Sequence, residues 1–282
     1  MKLAGWLLLW VAGTAIAAEP PVTLAGADGQ QLMDAVYERH QQYPWVFEEQ
    51  AMILIDQSGQ KETRTLRRYS RVESDGLSRF LLLFETPADV RGVALLAQQK
   101  SDGLSQQAFY LPALGGTFVE SESNGDARHE DNFLGTDYSI ENLVGENLEE
   151  HRYRRLDDDV IDETDYYVVD SYWREGEQVH AQRRHFIRKD NLYIDRTDHF
   201  DDLGRLRKRQ THHDLVNVHG DMWRANMMMM ENRELNHRTV IKINRRVFSA
   251  DYVPEEVFTR QWIINNQPPV EDALATEVAG RD

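Results

Sequence analysis

From Trp45 onward, apolar residues recur with a period of two, and Gly, Asn, Asp or Pro breaks the pattern at short intervals. Side chains two apart share one face of a strand, so this spacing commits the chain to half-buried β-structure. Extended segments are expected over 46–56 and 62–72, joined by Gln57-Ser58-Gly59-Gln60, then over 78–85, 93–99, 106–111 and 117–122. A second series is expected over 165–173, 179–188, 192–200, 205–216, 223–231 and 238–248. Turn signals fall at Asp75-Gly76, Ser101-Asp102-Gly103, Asn124-Gly125, Glu175-Gly176, Asp190-Asn191 and Leu203-Gly204. About ten strands at such spacing imply one large antiparallel sheet, which must curl to bury its apolar face. Alternation is clean at Ile241 and Ile243 against Lys242 and Asn244, whereas Tyr166–Ser171 is apolar on both faces. Periodicity alone leaves an open half-barrel, a closed barrel and a sandwich equally possible.

Helical signals are few. Residues 31–42 carry Leu32, Ala35, Val36 and Tyr37 at helical spacing before Pro44, and the expectation is a short amphipathic helix covering one opening of the sheet. Residues 131–147 read as a loop over the sheet, with Ser139 capping one helical turn. Pro254-Glu255-Glu256-Val257-Phe258 reads as a second short helix start.

Met1-Lys2, the apolar run Leu3–Ala12 and the small-x-small triplet Ala15-Ile16-Ala17 read as a cleaved export signal over 1–17, the run being shorter than the ~20 residues that span a bilayer. The expected division is then a flexible lead over 18–30, one domain over 31–265 and a disordered tail over 266–282. With no cysteine, the chain has neither disulfides nor a lipid-bearing N-terminal thiol, so it is not itself a lipoprotein. Its net charge is −16, or −17 once Lys2 leaves with the signal, which disfavours nucleic acid and anionic bilayer surfaces as partners. A soluble monomer in the periplasm is expected.

Three phrases follow in order between Arg79 and Leu143. They are Phe80-Leu81-Leu82-Leu83-Phe84-Glu85-Thr86-Pro87-Ala88-Asp89-Val90-Arg91-Gly92, Phe109-Tyr110-Leu111-Pro112-Ala113-Leu114 and Phe133-Leu134-Gly135-Thr136-Asp137-Tyr138-Ser139. Each is an apolar strand or loop ending in a turn, without a nucleophile–base pair, phosphate loop or metal-ligand spacing. Together they resemble the LolA-like family of outer-membrane lipoprotein-sorting proteins over roughly residues 75–260. The resemblance implies a mainly β fold with few helices: a strongly curved antiparallel sheet, an open half-barrel whose concave face is covered by helices. It also implies a periplasmic carrier of lipid or lipoprotein acyl chains, loaded from the inner membrane and relieved by an outer-membrane acceptor. Longer LolA-like proteins resemble those accompanying inner-membrane exporters of the resistance-nodulation-division superfamily, an analogy no residue here carries.

The candidate cavity lining is Met52, Leu54, Phe80, Leu82, Phe84, Leu95, Phe109, Leu111, Met227 and Met229. Methionine is flexible and polarisable, which suits acyl cargo of variable shape, although ordinary core packing uses the same residues at the same period. Arg91 is the candidate gate, because family members control their lids with an arginine; a turn residue paired with Asp89 is the other reading. His212 and His213 alternate across a strand, so they do not chelate one ion, and Asp157–Asp159 lacks a calcium-loop pattern. No cofactor, metal or catalytic residue is expected. The alternatives to a carrier are a lipid-sensing regulator and, further off, a hydrolase or metal protein.

Overall fold

The computed structural model describes residues 24–74, 77–99, 105–123, 132–174 and 178–269. The expected export signal, the start of the lead, the end of the tail and the turns at 75–76, 101–103, 124–125 and 175–176 lie outside the described residues. The strands are β1 (Trp45–Ile55), β2 (Lys61–Val72), β3 (Ser78–Thr86), β4 (Ala94–Gln99), β5 (Ser105–Leu111), β6 (Thr117–Ser123), β7 (His151–Arg155), β8 (Asp159–Ile161), β9 (Thr164–Trp173), β10 (Arg183–Arg188), β11 (Ile194–Phe200), β12 (Leu206–His219), β13 (Met222–Asn232) and β14 (His237–Val247). The helices are α1 (Gly29–His40), α2 (Ile140–Val144) and α3 (Arg260–Asn265).

All strands join one antiparallel sheet in the order β6-β5-β4-β3-β2-β1-β14-β13-β12-β11-β10-β9-β7, with β8 as a flap on β9. The first and last strands pair in the middle, so the sheet grows outward in both directions as successive hairpins. The edges β6 and β7 do not pair with each other, which leaves an open, curved half-barrel. Strand twist accumulated over so many strands supplies the curvature.

This topology has one costly connection. After β6 the chain is at one edge, yet β7 forms the other, so the segment between them must cross the sheet. It crosses the concave, inner face: Phe133 and Tyr138 are buried against Met52, Leu82, Phe84 and Leu95, with Ile140, Leu143 and Val144 packed beside them. Ser139 caps α2 through a capping box with Asn142, as its position predicts. Gly145, at φ 111°, then ends α2.

The other face of β1–β5 is covered by the C-terminal stretch, whose Val253, Val257, Phe258 and Ile263 pack on Phe47, Tyr69, Leu81 and Leu83. The uninterrupted run Phe80–Phe84 follows from this, since even-numbered residues face the crossing segment and odd-numbered ones the C-terminal cover. α1 closes the opposite end of the inner face, burying Leu32, Met33 and Val36 against Val169 and Ile187. It starts at Gly29, earlier than its apolar spacing indicates, because Asp28 and Gln31 form its capping box.

Three expectations need correction. β7 and β8 were not anticipated: His151–Arg155 has a single apolar-faced Tyr153 among charged residues, since one of its faces meets solvent. β10 begins at Arg183 rather than 179. Pro254–Phe258 forms a single 3-10 turn, and the α-helix follows it, capped by Thr259.

Candidate ligand-binding cavity

Between the sheet's inner face and α2 lies a cavity of about 320 Å³, within the range of small-molecule sites. Its lining follows from strand register. Phe109, Leu95, Leu82, Arg68, Glu48 and Arg246 stand opposite one another in a single transverse row from β5 to β14. The row is apolar on β5, β4 and β3 and charged on β2, β1 and β14. The cavity sits over that boundary. Phe80, Leu82, Met228 and Ile241 line its apolar side from the sheet, and Tyr138, Leu143 and Val144 line it from above.

The charged side depends on a β-bulge. Ile241 and Ile243 face inward, so unbroken alternation would bring Arg245 inside. The pairing of β14 with β1 shifts between Glu49 and Gln50, which puts Arg246 opposite Glu48 and turns it inward. Arg246 Nε donates to Glu48 Oε1 at 2.6 Å, Gln50 Nε2 to Glu48 Oε2 at 2.7 Å and Arg68 Nη1 to the same oxygen at 3.3 Å. Burial opposes ionisation of Glu48, but Arg68 and Arg246 outweigh it and hold the carboxyl below its ordinary pKa. Arg224 donates to the carbonyls of Trp223 and His40. Burial foremost, with Arg246 and Arg68 adding to it, pulls its pKa down to about 10.

Two histidines beside the cavity are held neutral. His212 is half-buried, and the hydration it loses there lowers its pKa to about 4, although Nδ1 bonds the Ile194 carbonyl at 2.8 Å. Burial and then Arg224 lower His40 to about 4. His40 Nδ1 accepts from the Trp223 amide at 3.2 Å, which makes Nε2 the donor to the Leu192 carbonyl at 3.1 Å.

The crossing segment is fastened at three places. Arg64 Nη1 donates to the Leu134 carbonyl at 2.7 Å. Asp137 is buried and accepts from Thr239 Oγ1 at 2.8 Å, while Lys208 Nζ donates to its carbonyl at 3.0 Å. Glu146 forms the third: Arg183 Nη1 donates to it at 2.8 Å, Tyr153 Oη at 2.6 Å and Ser171 Oγ at 2.9 Å. Arg183 also bonds Glu141, and Tyr37 of α1 bonds the Glu146 carbonyl. α2 is therefore a lid held by polar clamps on both sides and by the Arg183–Glu141 pair, with Leu143, Val144 and the cavity beneath.

Of the lining residues expected from sequence, Phe80 and Leu82 border the cavity. Met52, Leu54, Phe84 and Leu95 belong to the same buried cluster, with Phe109 and Leu111 packed against it, and the crossing segment covers them. Phe133 lies 6.0 Å, ring centre to ring centre, from both Phe84 and Phe109. The methionine run has the opposite parity from the one expected. Met228 and Met230 face the cluster, opposite Ile241 and Thr239, which turns Met227 and Met229 to the other side. Arg91 braces its own turn, its Nε donating to the Glu85 carbonyl at 3.1 Å, and the guanidinium that holds a carbonyl of the crossing segment is that of Arg64. The cationic side was not anticipated, although Arg68 shares the parity of Leu66 and would have marked it. Among the described residues no group of three or more His, Asp, Glu or Cys is placed to hold a metal ion, and no helix is long and apolar enough to cross a membrane.

The architecture has close counterparts. A domain from Vibrio parahaemolyticus described as an outer membrane lipoprotein-sorting protein superposes with a TM-score of 0.75 at 22% identity, over 83% of this chain and 97% of its own. A DUF1329 family protein from Desulfovibrio piger gives 0.74 at 21% identity over the same shares, and a LolA superfamily protein from Nitrosomonas europaea gives 0.65 at 15% over 83% and 99%. No curated protein matches the sequence. A family model with the description "-like: Uncharacterized protein" matches residues 76–265, well over half of the chain. The chain therefore belongs to the family that this model describes, and its fold is the one seen in the LolA superfamily structure.

Proposed function

We propose that this protein is a periplasmic carrier that takes lipid, or the acyl groups of lipoproteins, into the cavity beneath α2 and moves them between the inner and outer membranes. The observation that carries this reading is the lid: α2 presents Leu143 and Val144 to an apolar wall formed by Phe80, Leu82, Met228 and Ile241. Burying an acyl chain there gains roughly 0.8 kcal/mol per CH₂, so affinity needs only shape and dryness. Release needs a competitor. The lid is that competitor, because its own apolar residues pack on the cavity when no cargo is present, lowering net affinity and permitting handover. Lifting the crossing segment would add Met52, Leu54, Phe84, Leu95, Phe109 and Leu111 to the lining and make room for longer chains.

No catalytic role is assigned, since the arrangement binds and covers without presenting an activated nucleophile. Loading by an inner-membrane exporter and unloading to an outer-membrane acceptor follow the analogy with lipoprotein sorting. The test is native mass spectrometry of protein purified from periplasm without detergent, followed by lipid extraction. A discrete added mass that extracts as lipid is the expected result. A bare mass that stays unchanged after incubation with lipid vesicles and acylated peptides would overturn the carrier reading.

A further inference from the structure

A cavity for acyl chains alone has no need of charge, yet this one is strongly cationic on one side. Five arginines line it (Arg68, Arg71, Arg79, Arg224 and Arg246) and one carboxylate, Glu48. Glu73 engages Arg71 at 3.0 Å and Arg79 at 3.2 Å, leaving Arg68, Arg224 and Arg246 gathered about Glu48 alone. Arg224 has no carboxylate within salt-bridge distance among the described residues, only the carbonyls of Trp223 and His40. Bracing two carbonyls does not require a charge, since an amide donor does the same without the cost of burying a cation. The excess is also out of keeping with the molecule, whose net charge is −16.

Tyr138 offers a second, independent sign. Its hydroxyl is fully buried and has no hydrogen-bond partner among the described residues, and the residue belongs to the lining of the same cavity. That hydroxyl has no accessible surface beneath the closed lid, so an ester or amide carbonyl would pair with it, and offset the cost of leaving it bare, only as α2 lifts to admit cargo.

We propose that the cavity is a site for anionic amphiphiles, with the acyl chain lying on Phe80, Leu82 and Met228 beneath Leu143, and a carboxylate or phosphate headgroup held by Arg68, Arg224 and Arg246. The proposal rests on the carrier reading and sharpens it from any apolar cargo to one bearing a negative head. Guanidinium groups suit this task because their planar fork matches both carboxylate and phosphate. Glu48 bridges Arg68 and Arg246 in the empty state, and an arriving anion shares them with it.

The test is displacement of a neutral fluorescent monoacylglycerol by four lipids, at pH 7.5 and below their aggregation limits. Oleate is compared with methyl oleate, and oleoyl lysophosphatidate with monooleoylglycerol. Each anion is expected to bind at least about tenfold more tightly than its neutral partner, and the pair with the larger ratio identifies the headgroup as carboxylate or phosphate. Arg68→Gln is expected to weaken oleate binding several-fold more than methyl oleate binding and so to remove most of that preference. Glu48→Gln changes the charge in the opposite direction and is expected to strengthen anion binding, which separates a headgroup site from simple misfolding. Equal binding of oleate and methyl oleate would overturn this proposal and leave the carrier reading standing. Failure of all four lipids to bind would sink the carrier reading, and the headgroup site with it.

Discussion

Arg183 on β10 donates to Glu146 at 2.8 Å, joining one end of the lid to the sheet, and both side chains are buried. The bond spans a topological gap, because the crossing segment reaches this point from the far edge of the sheet. Burial opposes ionisation of Glu146, yet His185 and Arg183 hold its pKa well below the usual carboxylate range. Removing Arg183 would strand a buried carboxylate.

Arg183→Met is therefore expected to cost roughly 3–5 kcal/mol in urea denaturation. A depressed carboxylate pKa gives stability that is present above the unfolded-state value and lost as pH falls through the folded one. The wild-type protein should lose that increment only in strong acid, and the variant, with His185 still beside Glu146, should lack part of it already at pH 7. An unchanged unfolding midpoint at pH 7 would show that the clamp contributes nothing.

Arg64 and Arg91 make opposite predictions about the lid. Arg64 holds the Leu134 carbonyl, whereas Arg91 braces the Glu85 carbonyl in its own turn. Arg64→Met should raise amide hydrogen exchange of residues 133–144 about tenfold, with a global stability loss of about 1–2 kcal/mol. Arg91→Met should leave exchange in that segment at the wild-type rate. If Arg91→Met loosens 133–144 and Arg64→Met does not, the gate assignment reverts to the one expected from sequence.

Strand existence was legible because turn residues punctuate a period-two pattern, and ten of the fourteen strands begin within one residue of their expected starts. Which side of each strand faces the cavity was not legible in the same way. Parity in Met227–Met230 is undecidable within the run, since every position carries the same side chain. The bulge opposite Glu49 and Gln50 exchanges the faces of Arg245 and Arg246 without any Gly or Pro to announce it. β7 escaped notice because its register depends on β9 and on α1 packing over it, contacts made long after its own sequence is read. The cavity's charged side was hidden for a related reason: Glu48, Arg68 and Arg246 are far apart in sequence and meet only in the paired sheet.

Stability should also fall between neutral pH and mild acid because of His212. Its folded pKa is about 4 owing to burial, below the ordinary value of 6.5. The folded state therefore binds fewer protons than the unfolded state between those values, so stability is complete above pH 6.5 and declines as pH drops towards 4. From pH 7.5 to pH 5 the loss from this one residue is roughly 2 kcal/mol. His212→Gln, which cannot protonate, should show a shallower decline over that window. Identical slopes for the two proteins, measured by urea midpoints, would place the acid sensitivity elsewhere.

The methionine run gives the sharpest test of which face matters. Met230 is fully buried in the cluster beneath the crossing segment, Met228 lines the cavity, and Met227 and Met229 alternate onto the opposite face. Met230→Ala should cost about 2–4 kcal/mol, because the crossing segment and Thr239 leave little room for collapse around the space created. Met229→Ala, at a half-exposed site, should cost less than about 1 kcal/mol. Met228→Gln should weaken binding of the neutral fluorescent monoacylglycerol several-fold, by placing an amide on the acyl path. Met229→Gln should leave that affinity unchanged. Equal losses from Met228→Gln and Met229→Gln would mean that the acyl chain does not lie on the inner face of β13, and the cavity beneath α2 would no longer account for binding.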